Sequence, residues 1–178
     1  GNKALDANTE GGSNTAVGDN ALGANTTANN NTAVGYRSLL ANTTGTQNVA
    51  IGSNALKAVT TTASNTAVGA FAMDAGTGSK NTAVGSGALG GASFTSSNIT
   101  AIGYDAGNAL EGGTRLTLVG YEAGRNATAS TNGVYIGYQA AYNVTTGGSY
   151  NCTYIGDTRL LKMKFNRFSS LTINIQGK

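Results

Sequence analysis

Short runs of small and β-branched apolar residues recur along the chain at nearly constant intervals, each closed by a glycine and followed by a second apolar pair. The first kind of run reads Asn-Thr-Ala-Val-Gly or a close variant and ends at Gly18, Gly35, Gly52, Gly69, Gly85, Gly103, Gly120, Gly137 and Gly156. The intervals are 17, 17, 17, 16, 18, 17, 17 and 19 residues. The pair follows three and four residues after the glycine, as in Ala21-Leu22, Ser38-Leu39, Ala55-Leu56, Ala72-Met73 and Ala88-Leu89. One period before Gly18 lies Gly1, followed by Ala4-Leu5 in the expected places, so the chain is expected to be a portion of a longer array.

A 17-residue period is too short for helical-pair repeats and fits one coil of a parallel β-solenoid. At about 3.3 Å per residue such a coil has a perimeter of roughly 56 Å, enough for two strands of about five residues and two corners. The pattern therefore predicts an all-β fold, a flat roll of about nine to ten coils stacked about 4.8 Å apart. One strand of each coil is Asn14-Thr15-Ala16-Val17-Gly18 and its equivalents. A second is expected around Ala21-Leu22, with Asn/Thr/Gly stretches such as Asn25-Thr26-Thr27 and Asn42-Thr43-Thr44-Gly45 returning the chain.

Adjacent strand residues point to opposite faces, and here both faces are small or apolar. Two positions before the glycine stand Ala16, Ala33, Ala50, Ala67, Ala83, Ala101, Leu118, Tyr135 and Tyr154; one position before it the residue is always Val or Ile. A thin roll has one interior, so the second face calls for a partner. The expectation is that Val and Ile fill the roll while the Ala16 to Tyr154 rank meets neighbouring chains. Four before the glycine, Asn14, Asn31, Asn48, Asn65 and Asn81 should stack as a hydrogen-bonded amide ladder. The rank then changes to Ile99, Leu116, Gly133 and Cys152, so later coils are built differently at that corner.

Composition narrows the chemistry. The 178 residues include 27 Gly, no His, no Pro, no Trp and a single Cys, which removes the commonest general base, an intramolecular disulfide and Cys-cluster metal sites. No cofactor and no enzymatic activity are expected. Cys152 lacks a His to activate it and reads as a packed residue. Through Gly156 there are six Lys/Arg against seven Asp/Glu, whereas the segment from Asp157 onward has five against one. The basic character is thus confined to the tail, and a stripe suited to a nucleic-acid backbone is missing. No run approaches the roughly 20 apolar residues of a membrane span, and the N-terminal residues do not read as a signal peptide.

The Asn-Thr-Ala-Val-Gly, Ala-Leu and Asn-Thr-Thr-Gly units resemble the head repeats of trimeric autotransporter adhesins, and their spacing is most similar to related repeats in bacteriophage tail fibres. The resemblance spans Gly1 to about Gly156. It implies a left-handed parallel β-roll assembled as a homotrimer, displayed on a virion or cell surface and mediating attachment to a host. Its partners would be further copies of itself, a host-surface glycan or protein receptor, and other fibre or virion proteins. The alternative is a purely structural extracellular filament or spacer.

Tyr104, Tyr121 and Tyr138 each follow a repeat glycine and should form a column, a candidate receptor surface offering ring faces to sugars. Asp105 and Glu122 lie one position further on, in a rank otherwise held mainly by polar residues, and read as a solvated face rather than a catalytic pair. Residues 157–178 alternate apolar and polar positions around a turn and predict a C-terminal β-hairpin-like cap. Its Lys162, Lys164 and Arg167 are the other candidate receptor contacts.

Overall fold

The computed structural model describes residues 1–91, 95–127, 130–144 and 151–157. Among the described residues eleven short strands run β1 Thr15–Val17, β2 Thr32–Val34, β3 Val49–Ile51, β4 Thr66–Val68, β5 Thr82–Val84, β6 Thr100–Ile102, β7 Gly113–Thr114, β8 Thr117–Val119, β9 Ser130–Thr131, β10 Val134–Ile136 and β11 Thr153–Ile155. Nine of them form one parallel sheet in the order β1-β2-β3-β4-β5-β6-β8-β10-β11, and β7 pairs with β9 in a small second sheet. Each strand lies one coil above the last in strict register, Ala33 over Ala16 and under Ala50. The all-β solenoid expected from the period is present among the described residues. The C-terminal cap expected over 157–178 falls, apart from Asp157, outside them.

The opposite wall is not the second strand expected around Ala21-Leu22. It is a run of turns. The Ala21 N–H reaches the Gly18 carbonyl at 3.4 Å and the Gly23 N–H reaches that of Asn20 at 3.3 Å; the third residues of these turns, Asn20 and Leu22, sit at φ 57° and 50°. This is the positive φ that a type II turn demands. The same pair recurs as Arg37 and Leu39, Asn54 and Leu56, Phe71 and Met73. The left-handed conformation costs a branched or bulky residue about 1–2 kcal/mol. In return Ala21 and Leu22, though consecutive, both point inward and are fully buried, which a strand would forbid. Burying a Leu contributes about 1.5–3 kcal/mol, so the exchange is favourable.

That wall decides the faces, and the expectation for them is reversed. Ala33, Ala50, Ala67, Ala83, Ala101, Leu118 and Tyr135 are fully buried within the single chain, Tyr154 nearly so, and Ala16 packs against the same core. Residues assigned to contact neighbouring chains therefore fill the roll. The Leu rank reaching across from the turns leaves room for little more than a methyl group. The β-branched rank faces out instead, with Val17 56% and Ile155 72% exposed and Ile51, Ile102 and Ile136 close to 40%.

Where the Ala rank gives way to Leu118 and Tyr135, the opposing residue shrinks in compensation. A Cβ on Gly107 would stand 2.7 Å from Leu118 Cδ1, and one on Gly124 would stand 2.8 Å from Leu118 Cδ2 and 3.1 Å from Tyr135 Cδ2. The later coils thus invert the large and small partners while keeping the interior filled.

The Asn rank forms a continuous ladder, though its bonds run to backbone rather than amide to amide. The Oδ1 atoms of Asn14, Asn31, Asn48, Asn65 and Asn81 accept from the backbone N–H of Asn31, Asn48, Asn65, Asn81 and Ile99 at 2.9–3.0 Å. Each Nδ2 donates across the corner, as from Asn31 to the Gly45 carbonyl at 2.8 Å and from Asn65 to that of Gly78 at 3.0 Å. A second row, unforeseen from the sequence, is amide to amide: Asn25 Nδ2 donates to Asn8 Oδ1 at 2.6 Å and Asn42 Nδ2 to Asn25 Oδ1 at 3.2 Å. The row stops where Val59 takes the next place, leaving Asn42 Oδ1 buried without a hydrogen bond.

Candidate functional site

The turn that follows the repeat glycines places the next side chain on the outside in the later coils, beside the β-branched rank. This produces the aromatic column: Tyr104, Tyr121 and Tyr138 are all 43–51% exposed. Their rings stack on one another, with centroids 5.3 and 5.1 Å apart and planes within 12° and 7° of parallel. Ring faces are occupied within the column, so Tyr121 shows solvent its edge and hydroxyl rather than a platform for sugars. The coil spacing that makes the column also uses up its faces.

Beside the column lies a charged cluster. Arg125 Nε is 3.6 Å from Asp105 Oδ2 and 3.7 Å from Glu122 Oε1, ion-pair contacts longer than hydrogen bonds. Its guanidinium donates to the Tyr142 hydroxyl at 2.9 Å, and Gln139 Nε2 donates to Glu122. Burial raises the Asp105 carboxyl above the ordinary carboxylate value, with Arg125 opposing and Glu122 adding to the shift. The neighbouring Glu122 charge raises the Tyr121 hydroxyl above the usual phenol value. The two carboxylates therefore share one cation across adjacent coils, which suits holding the Tyr column in place.

Comparison with known proteins finds no matching family model, no matching curated protein and no matching solved structure.

Of the sequence candidates, the structure brings Tyr104, Tyr121 and Tyr138 together and puts Tyr135 and Tyr154 in the core. Lys162, Lys164 and Arg167 lie outside the described residues. No group of His, Cys, Asp and Glu suited to holding a metal ion occurs among the described residues, and no helix there is long and apolar enough to cross a membrane. Cys152, the single cysteine of the chain, is partly buried and packs against the core.

Sequence reasoning passed over two exposed aromatic residues. Tyr36, on the same rank as the column, carries the Arg37 guanidinium 5.0 Å from its ring centroid. Phe71 is 49% exposed at φ 57°, one position beyond the repeat glycine's neighbour. The signal was its rank, since the equivalent residues Lys3, Asn20, Arg37, Asn54, Asp105, Glu122 and Gln139 are all polar.

Proposed function

We propose that the chain is a non-enzymatic segment of a virion or cell-surface fibre, assembled as a homotrimer and mediating attachment to a host cell surface. The observation that carries this reading is the uncovered β-branched strip. It runs the length of the sheet through Val17, Ile51, Ile102, Ile136 and Ile155, one apolar side chain per coil, and a soluble monomer rarely leaves so continuous an apolar surface open. A second copy of the same regular face covers it with matched spacing. The resemblance to adhesin heads and tail fibres supports a left-handed roll and three copies around a common axis, together with host glycans or proteins and other fibre or virion proteins as partners. Confinement of the net positive charge to the tail speaks against nucleic acid.

Light scattering tests the assembly. The wild-type protein is expected at three times the chain mass, and Ile51→Arg with Ile102→Arg should give folded monomers. An uncompensated charge in a desolvated interface costs about 3–5 kcal/mol, whereas on the surface of a lone roll it costs almost nothing. A monomeric wild type, or an intact trimer in the double variant, refutes the assembly. Retention of labelled trimer on host cells tests attachment.

One observation favours the alternative of a structural spacer: the column's ring faces stack on each other and leave only edges outward. Under that reading Tyr121→Ala lowers the melting temperature and no host cell retains the protein.

A further inference from the structure

The rank that follows the repeat glycine reads Tyr36, Ser53, Ala70, Ser86, Tyr104 on five successive coils. Two exposed rings thus bound a stretch floored by small side chains. Tyr104 is stacked on Tyr121 on one side only, so its other face looks along the roll toward Ser86. Beside the middle of the floor, on the neighbouring rank, stands Phe71. Positive φ is shared by this whole rank, from Asn20 and Arg37 to Glu122 and Gln139, but those residues are polar, whereas Phe71 leaves a phenylalanine half in water. Neither folding nor packing within the chain accounts for a phenylalanine there.

The spacing gives the feature a ligand. Tyr36, Phe71 and Tyr104 follow one another at intervals of two coils, about 10 Å at the usual distance between stacked strands. An extended β-linked glycan advances by about that length for every two sugars, so alternate sugar rings would meet an aromatic side chain each time. Between the rings the floor offers hydrogen-bonding groups without charge: the Ser53 hydroxyl, which already accepts from Asn54 Nδ2 at 3.1 Å, and the exposed Ser86. From Ser53 to Gly87 the two ranks hold Ser53, Asn54, Ala70, Phe71, Ser86 and Gly87, all neutral. At the ends, the Arg37 guanidinium lies against the Tyr36 ring, and the Asp105 carboxylate, paired with Arg125, reaches back over Gly87, where an added Cβ would collide with its Oδ1. The floor between these ends carries no charge of its own and so complements a neutral chain.

We infer that the stretch from Tyr36 through Phe71 to Tyr104 is a binding groove for a neutral, extended β-linked glycan lying along the roll. The inference rests on the attachment reading and names its ligand, moving the contact from the middle of the Tyr column to its open end. Calorimetric titration of the assembled wild-type protein with cellohexaose, beside the helical α-linked maltohexaose, tests it. Cellohexaose should bind at least tenfold tighter than maltohexaose. Phe71→Asn should weaken cellohexaose binding at least tenfold while raising the melting temperature, because Asn tolerates positive φ, and Tyr138→Ala should leave binding unchanged. No binding by the wild type at millimolar cellohexaose overturns the inference, as does equal binding of the two sugars or an unaffected Phe71→Asn. Host cells that retain the labelled protein in a manner insensitive to cellohexaose and to Phe71→Asn overturn the groove and leave attachment standing. Binding of cellohexaose without retention on any cell supports the groove and overturns attachment.

Discussion

Gly69→Ala is expected to disrupt the middle of the roll, with a loss of about 4 kcal/mol or more, in the range where a single substitution points to one identifiable mechanism. Gly69 lies at φ 137°, a conformation that side chains avoid, and a Cβ there would sit 2.5 Å from the Gly85 carbonyl oxygen and 2.6 Å from its carbon. The obstruction is backbone, which cannot rotate away. Relief requires the two coils to separate, and that breaks hydrogen bonds such as Gly85 N–H to the Val68 carbonyl and Thr66 N–H to the Asn81 carbonyl, both 2.8 Å. Gly12→Ala is the control, since its Cβ would meet only the Asn29 side chain at 3.4 Å. Thermal unfolding followed by circular dichroism should show a depression of roughly 8–16 °C for Gly69→Ala, at 2–4 °C per kcal/mol for a chain of this size, and almost none for Gly12→Ala. Equal melting temperatures would refute the close-approach account of the glycine column.

Asn65→Leu is expected to cost about 2–6 kcal/mol, although leucine is similar in size and more apolar. The side chain of Asn65 satisfies two groups: its Oδ1 takes the Asn81 N–H and its Nδ2 serves the Gly78 carbonyl, each at 3.0 Å. Both would be stranded away from water, at about 1–3 kcal/mol apiece. The Asn65 backbone N–H keeps its own bond to Asn48 Oδ1, so the damage propagates in one direction along the roll. Amide hydrogen exchange should therefore rise at Asn81 and stay low at Asn65. Unchanged protection at Asn81 would show that the ladder carries less than its geometry implies.

Much of this was legible in the chain because a solenoid repeats its local chemistry. The glycine column and the Asn rank could be placed to the residue, since stacking puts equivalent residues in direct contact. The second wall was misread for a specific reason: a Leu with positive φ is contrary to local propensity, and only the burial gained by Leu22, Leu39 and Leu56 overrides it. The adjacent pair Ala21-Leu22 already carried a warning, since two consecutive buried residues do not suit an alternating strand. The faces of the sheet were exchanged because Val and Ile were given the interior for their hydrophobicity. In a roll this thin, volume decides instead, and the uniform smallness of Ala33, Ala50 and Ala67 marks the inside. The row through Asn8, Asn25 and Asn42 went unseen because it lies in segments read as returning loops.

The ladder also bears on how such an array can change length. Along the rank from Asn14 to Asn81 each Asn offers the next coil its amide oxygen in the same geometry, so with respect to this ladder a unit can be copied or deleted and the flanking bonds rejoin. Past Ile99 this interchangeability ends: Leu118 needs Gly107 and Gly124 beside it, and Tyr135 needs Gly124 and Gly133. Duplication within the first block lengthens the roll by whole steps, while the second block can be inherited only as a set. The chain thus joins an extensible module to one whose length is fixed, and recombination between related genes would be tolerated on one side of Ile99 and selected against on the other.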